Sequence, residues 1–140
     1  MLPEYSIEVE KYPLRFFATA IGDLDPIHHD EAAAAAAGYR SLVAPPTYVA
    51  CLNSIANPDP GALFKHLGID PGRVLHGEQH LTFQRPICAG DRVFFNTRIV
   101  DIYDKRQGAL EFVVLQTQVS DQHRNRMAES RAVIVVRSPA

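Results

Sequence analysis

Apolar residues follow two different spacings along the chain, and the change falls near Pro71–Gly72. Before that point the spacing is helical. Leu14, Phe17, Ala18 and Ile21 form one apolar stripe, which predicts a helix over Lys11–Ile21 with Gly22 placed to end it. A dense polar loop follows, Asp23-Leu24-Asp25-Pro26-Ile27-His28-His29, in which Pro26 pushes Asp25 out of helical conformation. Asp30 is a good N-cap for an alanine-rich helix over Glu31–Ala37, and Gly38 stops it. A third helix starts at Pro46 or Thr47 and runs to about Ala56. It is so apolar that it is expected to be surrounded rather than to lie on a surface. Asn57-Pro58-Asp59-Pro60-Gly61 is a loop, and a short helical turn spans Ala62–Leu67.

Beyond Gly72 the spacing is that of strands. Val74–Arg85 alternates, with Leu75, Leu81 and Phe83 on one face and Glu78, His80, Thr82 and Gln84 on the other. Arg92–Tyr103, Leu110–Ser120 and Met127–Val136 are rich in β-branched and aromatic residues, and short turns separate them. Such strands pair antiparallel. A further strand near Ser6–Glu10 brings the sheet to about five. The fold class expected is α+β, one long antiparallel sheet curling over an apolar helix.

Composition narrows the function classes. At 140 residues, 46% hydrophobic and 21% charged, the chain (1–140) reads as a single globular domain. A net charge of −2 argues against a nucleic-acid binder. Two cysteines, Cys51 and Cys88, imply no disulfide framework and fit a cytoplasmic location. The N-terminus lacks a basic segment followed by an apolar run, so no signal peptide is expected. No stretch reaches the ~18 apolar residues of a membrane helix, so no membrane partner is expected either. Nucleotide-binding glycine motifs and the nucleophile elbow Gly-x-Ser-x-Gly do not occur.

The segment Ile21–Asp30 carries the candidate chemistry. Three carboxylates and two imidazoles crowd one loop. They admit three readings: Asp23 and Asp30 as caps with solvated histidines, an acid–base pair converging on one water across the Pro26 bend, or a metal site. Adjacent His28 and His29 tend to point apart, and no further ligand stands at conventional zinc spacing. His76-Gly-Glu-Gln-His80 is not the helical metalloprotease pattern. On a strand these two histidines share a face but lie about 13 Å apart, too far for one ion. Cys51 reads as a buried, inert thiol.

The segment Phe17-Ala18-x-Ala20-Ile21-Gly22-Asp23-x-Asp25-Pro26-Ile27-His28-x-Asp30 resembles the hydratase motif of the MaoC-like, R-specific enoyl-CoA hydratases. Leu42-Val43-Ala44-Pro45-Pro46-Thr47, His76-Gly77-Glu78-Gln79, Arg85-Pro86 and Ala89-Gly90-Asp91 resemble its FAS1-like dehydratase, or MaoC N-terminal, branch. The resemblance implies a hot-dog fold, a curled antiparallel sheet wrapped around a long central helix. It also implies a hydratase/dehydratase that interconverts trans-2-enoyl and (3R)-3-hydroxyacyl thioesters of coenzyme A or acyl carrier protein. Asp23 and His28 fall on the family's catalytic positions and would hold one water. Asp25 falls where the hydratases usually carry Asn, adding a negative charge beside the pair. The glycine whose N–H holds the thioester oxygen falls on Pro46, which has no N–H; the Thr47 N–H is the expected substitute. Neither metal nor redox cofactor is implied, and a homodimer or a heterodimer with another hot-dog subunit is.

Two rival functions go with the same fold. A non-catalytic or partner-dependent subunit of a two-subunit dehydratase fits the loss of the glycine. A hot-dog thioesterase would place an Asp or Glu on the central helix, and Thr47–Ala56 carries none.

Overall fold

The computed structural model describes residues 2–139. Five strands make one antiparallel sheet: β1 (Tyr5–Glu8), β2 (Val74–Phe83), β3 (Arg92–Lys105), β4 (Leu110–Ser120) and β5 (Arg126–Arg137), in the spatial order β1-β3-β4-β5-β2. Four α-helices accompany it: α1 (Lys11–Ala20), α2 (Glu31–Ala36), α3 (Tyr48–Ala56) and α4 (Ala62–Leu67). Every expected element is present. The sheet curls over α3, and the architecture is the hot-dog fold.

The main core lies between α3 and the sheet. Tyr48, Val49 and Leu52 of α3 are buried against Phe95, Val93, Val119 and Ala128. Burial of such side chains contributes roughly 1.5–3 kcal/mol each. Phe17 of α1 packs on Tyr48 with ring centres 5.0 Å apart. The Tyr5 hydroxyl donates to Asn53 Oδ1 at 2.5 Å, tying β1 to α3. A second, smaller cluster holds α4 to the far half of the sheet through Leu63, Val113 and Ile134.

Three expectations need correction. Helix α3 is not surrounded in the single chain: Ile55 is 64% exposed, because the strands cover only the side that carries Val49 and Leu52. Strand β2 ends at Phe83 rather than Arg85, since the N–H groups of Gln84 and Arg85 both donate to the Met127 carbonyl and Pro86 follows. Its face assignment also changes. A bulge at Gly77 shifts the register between His76 and Glu78. One extra residue inverts the alternation. Leu75 therefore lies on the opposite face from Leu81, which points inward with His76 and Gln79. His76 and His80 consequently lie on opposite faces, and His80 pairs with Glu78 at 3.0 Å. A Cβ on Gly77 would stand 2.8 Å from Val135 Cγ2 and 3.2 Å from the Val133 carbonyl oxygen, so the bulge requires glycine.

Candidate active site

The site begins at the end of α1. Gly22 takes a left-handed conformation (φ 75°). The Gly22 N–H donates to the Thr19 carbonyl and the Asp23 N–H to the Ala18 carbonyl, closing the helix in a Schellman motif. That closure aims Asp23 out of the helix end. Asp25 and Pro26 then begin a single 3₁₀ turn, Pro26–His28. The Asp25 side chain accepts from the Ile27 N–H at 3.2 Å, and Asp30 accepts from the Ala32 N–H at 2.9 Å to cap α2. Asp30 is thus the cap that the capping reading expected, but the other helix cap is Asp25 rather than Asp23, and His28 is buried rather than solvated.

The third carboxylate meets an imidazole. Asp23 Oδ2 lies 3.0 Å from His28 Nε2. The other ring nitrogen, Nδ1, lies 2.6 Å from the Val43 carbonyl oxygen. A carbonyl only accepts, so Nδ1 carries a hydrogen; a carboxylate oxygen also accepts, so the Nε2–Oδ2 contact holds a second hydrogen. The His28 side chain is 6% exposed and that of Asp23 36%, so the pair has one buried and one wet member. Asp23 Oδ1 accepts from the Asp25 N–H at 3.2 Å, fixing the carboxylate from its other side. His29 turns away from His28: the rings cross at 78° with centres 6.4 Å apart, and His29 Nε2 donates to the Asp23 carbonyl oxygen at 2.8 Å. Among the described residues no group of three or more His, Cys, Asp and Glu side chains converges as a metal site would require.

His28 lines a cavity of about 440 Å³. Its walls come from Ile27, the Val43–Pro46 segment, Phe83 at the end of β2 and the stretch that follows it to Ile87, and Met127–Ala128. Tyr39, Gln84 and Arg85 supply its other polar groups. A pocket of this size with an apolar wall and few polar groups is of the kind that takes a small organic ligand. Pro46 shares the cavity with His28. Thr47 stands next to it as the N-terminal flank of α3, and among the described residues its N–H has no hydrogen-bond acceptor. The Tyr48 and Val49 N–H groups already donate to the Pro45 and Pro46 carbonyls. Thr47 therefore offers the free donor at this helix start. A second cavity of about 370 Å³ lies on the other side of α3, between Asn53 and the inner face of the sheet at Leu81, Phe95 and Ile134.

Residues 2–130 match the FAS1-like dehydratase domain region. The chain belongs to this family of dehydratase domains. It is 34% identical over 138 residues to a UPF0336 protein of Saccharopolyspora erythraea, covering 99% of this chain and 86% of that one. It is 35% identical to a UPF0336 protein of Thermobifida fusca, covering 99% and 89%. Among solved structures, the truncated HadBC (3R)-hydroxyacyl-ACP dehydratase complex of Mycobacterium tuberculosis superposes with a TM-score of 0.77, 27% identity and coverage of 95% and 94%. The R-hydratase PhaJ1 of Pseudomonas aeruginosa superposes with a TM-score of 0.75 and shares the fold at 22% identity, covering 98% and 80%.

Within this FAS1-like dehydratase domain, sequence reasoning missed Val43 and His29. The Val43 contact is made by a backbone carbonyl, which every residue has, so no side-chain signal marks it. His29 holds the loop through another carbonyl, and its adjacency to His28 hid its separate task. Cys88 is buried, which pushes its thiol up from the ordinary range, and Cys51 is half-buried on α3.

Proposed function

We propose that this FAS1-like dehydratase domain is a hydratase/dehydratase that interconverts trans-2-enoyl thioesters and (3R)-3-hydroxyacyl thioesters, with coenzyme A or acyl carrier protein as carrier. The observation that carries the proposal is the Asp23 Oδ2–His28 Nε2 contact at 3.0 Å, with Nδ1 committed to the Val43 carbonyl at a cavity wall. A water held beside the pair gives one proton to the carboxylate as its oxygen bonds to the β-carbon. The C=C electron pair moves toward the thioester, and the oxygen there gains negative charge. The Thr47 N–H, free at the start of α3, is the donor for that oxygen. The proton then passes from the pair to the α-carbon, so that one water has been added and the site is restored. Dehydration is the same path reversed.

One observation favours the second reading, a partner-dependent subunit. Pro46 stands at the cavity where an N–H donor is expected, and it has none. The HadBC complex and the ChsH1–ChsH2 complex of Mycobacterium tuberculosis, to which the fold is similar, are assemblies of two different chains. Strand β2 is an exposed sheet edge with Leu75 and Phe83 nearly half accessible, and such an edge favours pairing with a second hot-dog unit, identical or not. Purified protein alone, mixed with crotonyl-CoA and longer enoyl-CoAs, is expected to consume the enoyl absorbance. Protein that is inert alone and active only with a second subunit would establish the alternative.

A further inference from the structure

The hydrogen on His28 Nδ1 depends on one backbone carbonyl, so what holds that carbonyl matters. Val43 lies in a short extended segment that crosses the segment leading into β3. The Ala44 N–H donates to the Ile87 carbonyl at 2.8 Å and the Ala89 N–H to the Leu42 carbonyl at 2.8 Å, which pairs Val43 opposite Cys88. The Val43 N–H donates to the Ile27 carbonyl at 3.0 Å, immediately before His28. This pairing is too short to be stable by itself. A buried carboxylate completes it. Asp91 is 1% exposed. One of its oxygens accepts from the Cys88 N–H at 2.9 Å, directly across from Val43. Both oxygens accept from Arg40 Nη2, three residues before Val43, and Gln122 Nε2 reaches Oδ1 at 3.5 Å. The carboxylate thus ties together the two segments that flank the Val43 peptide.

We propose that Arg40 and Asp91 are positioning residues for the imidazole, fixing the Val43 carbonyl and through it the Nδ1–H form of His28. The inference rests on the hydration reading for its kinetic part only. A tied Val43 carbonyl excludes a ring whose only hydrogen is on Nε2. With the hydrogen on Nε2, the bare Nδ1 would face a carbonyl oxygen at 2.6 Å inside the protein, two acceptors in contact. When the segment loosens, that penalty is relieved, and a ring whose only hydrogen faces Asp23 from Nε2 becomes populated beside the ring that carries a hydrogen on Nδ1.

The test uses Arg40→Gln, whose side chain is 56% exposed in wild type and fills no core space. Because Arg40→Gln leaves the Asp91 charge buried without its partner, the double variant Arg40→Gln/Asp91→Asn, which removes both charges, is made beside it. Arg40→Lys is the conservative rescue. The direct readout is the nitrogen-15 NMR shift of the His28 ring in histidine-labelled protein. Wild type is expected to show a protonated, pyrrole-type Nδ1. The Arg40→Gln and double variants are expected to move Nδ1 toward the tautomer-averaged position, with Arg40→Lys between. Kinetically, kcat per folded molecule is expected to fall about 10–100-fold with KM within about threefold, as for a misplaced catalytic group. If Nδ1 stays pyrrole-type in both the Arg40→Gln and the double variant, the proposal is overturned, whatever happens to thermal stability. A wild type that hydrates no enoyl thioester would overturn the functional reading instead, and the nitrogen shift would still decide this one.

Discussion

Replacing Asp23 by Asn separates chemistry from structure at the proposed site. The substitution keeps the side chain's shape and removes its ability to take and return a proton. The contacts that hold it survive. The amide oxygen still accepts from the Asp25 N–H, now 3.2 Å from Oδ1, and the amide N–H turns to His28 Nε2, now 3.0 Å from Oδ2. What is lost from the fold is one ion pair with a member more than a third exposed, which is worth less than about 1 kcal/mol. For a domain of this size that is a melting shift of only ~2–5 °C. Loss of a general acid–base group costs ~10²–10⁴ in rate, or about 2.7–5.4 kcal/mol of barrier. The expected signature is a small change in Tm and a large change in kcat. The assay is the initial loss of enoyl absorbance at saturating crotonyl-CoA, divided by the folded fraction from the circular dichroism melt. A rate per folded molecule within threefold of wild type would refute the reasoning and leave Asp23 a helix-end residue.

Three further outcomes are expected. Gly77→Ala puts a Cβ 2.8 Å from Val135 Cγ2 and 3.2 Å from a backbone oxygen, so urea unfolding is expected to show a loss of roughly 1–3 kcal/mol. Pro46→Gly adds an N–H at the cavity. With Thr47 already the donor, activity is expected to stay level or fall; a tenfold rise would instead mark the wild-type site as impaired. Asp121 is buried, which pushes its carboxyl up, but donation from the Asn125 side chain and from the Asn125 and His123 N–H groups outweighs this and holds it below the ordinary 3.8. Its contribution is therefore complete above the unfolded-state value and is lost as pH falls through the lower folded one. Asp121→Asn is expected to be less stable than wild type at pH 7, with the gap closing below about pH 4 in a pH series of melts.

Local interactions made much of this protein readable in its residues alone. Leu14, Phe17, Ala18 and Ile21 mark one helix face by spacing, Gly22 and Asp30 terminate and start helices with their own backbone and side chain, and the β-branched runs after Gly72 can form little but strands. All of these depend on residues within one turn or one strand, so a linear pattern contains them. The strand ends and the face of β2 are different. Gly77 reads only as an isolated glycine, and the bulge it allows exists because Val133 and Val135 of another strand press against it. The pattern that grouped Leu75 with Leu81 assumed an unbroken alternation that the neighbouring strand interrupts. Burial of α3 likewise follows from how many strands reach it, and Ile55 is apolar yet exposed because none covers it. At the site, the Asp23 and His28 residue types and their spacing across Pro26 were visible, but not which nitrogen of His28 meets the carboxylate. That is set by the carbonyl of Val43, fifteen residues away, held by Cys88, Asp91 and Arg40. A backbone carbonyl has no sequence signature, and only the folded chain brings it to the ring.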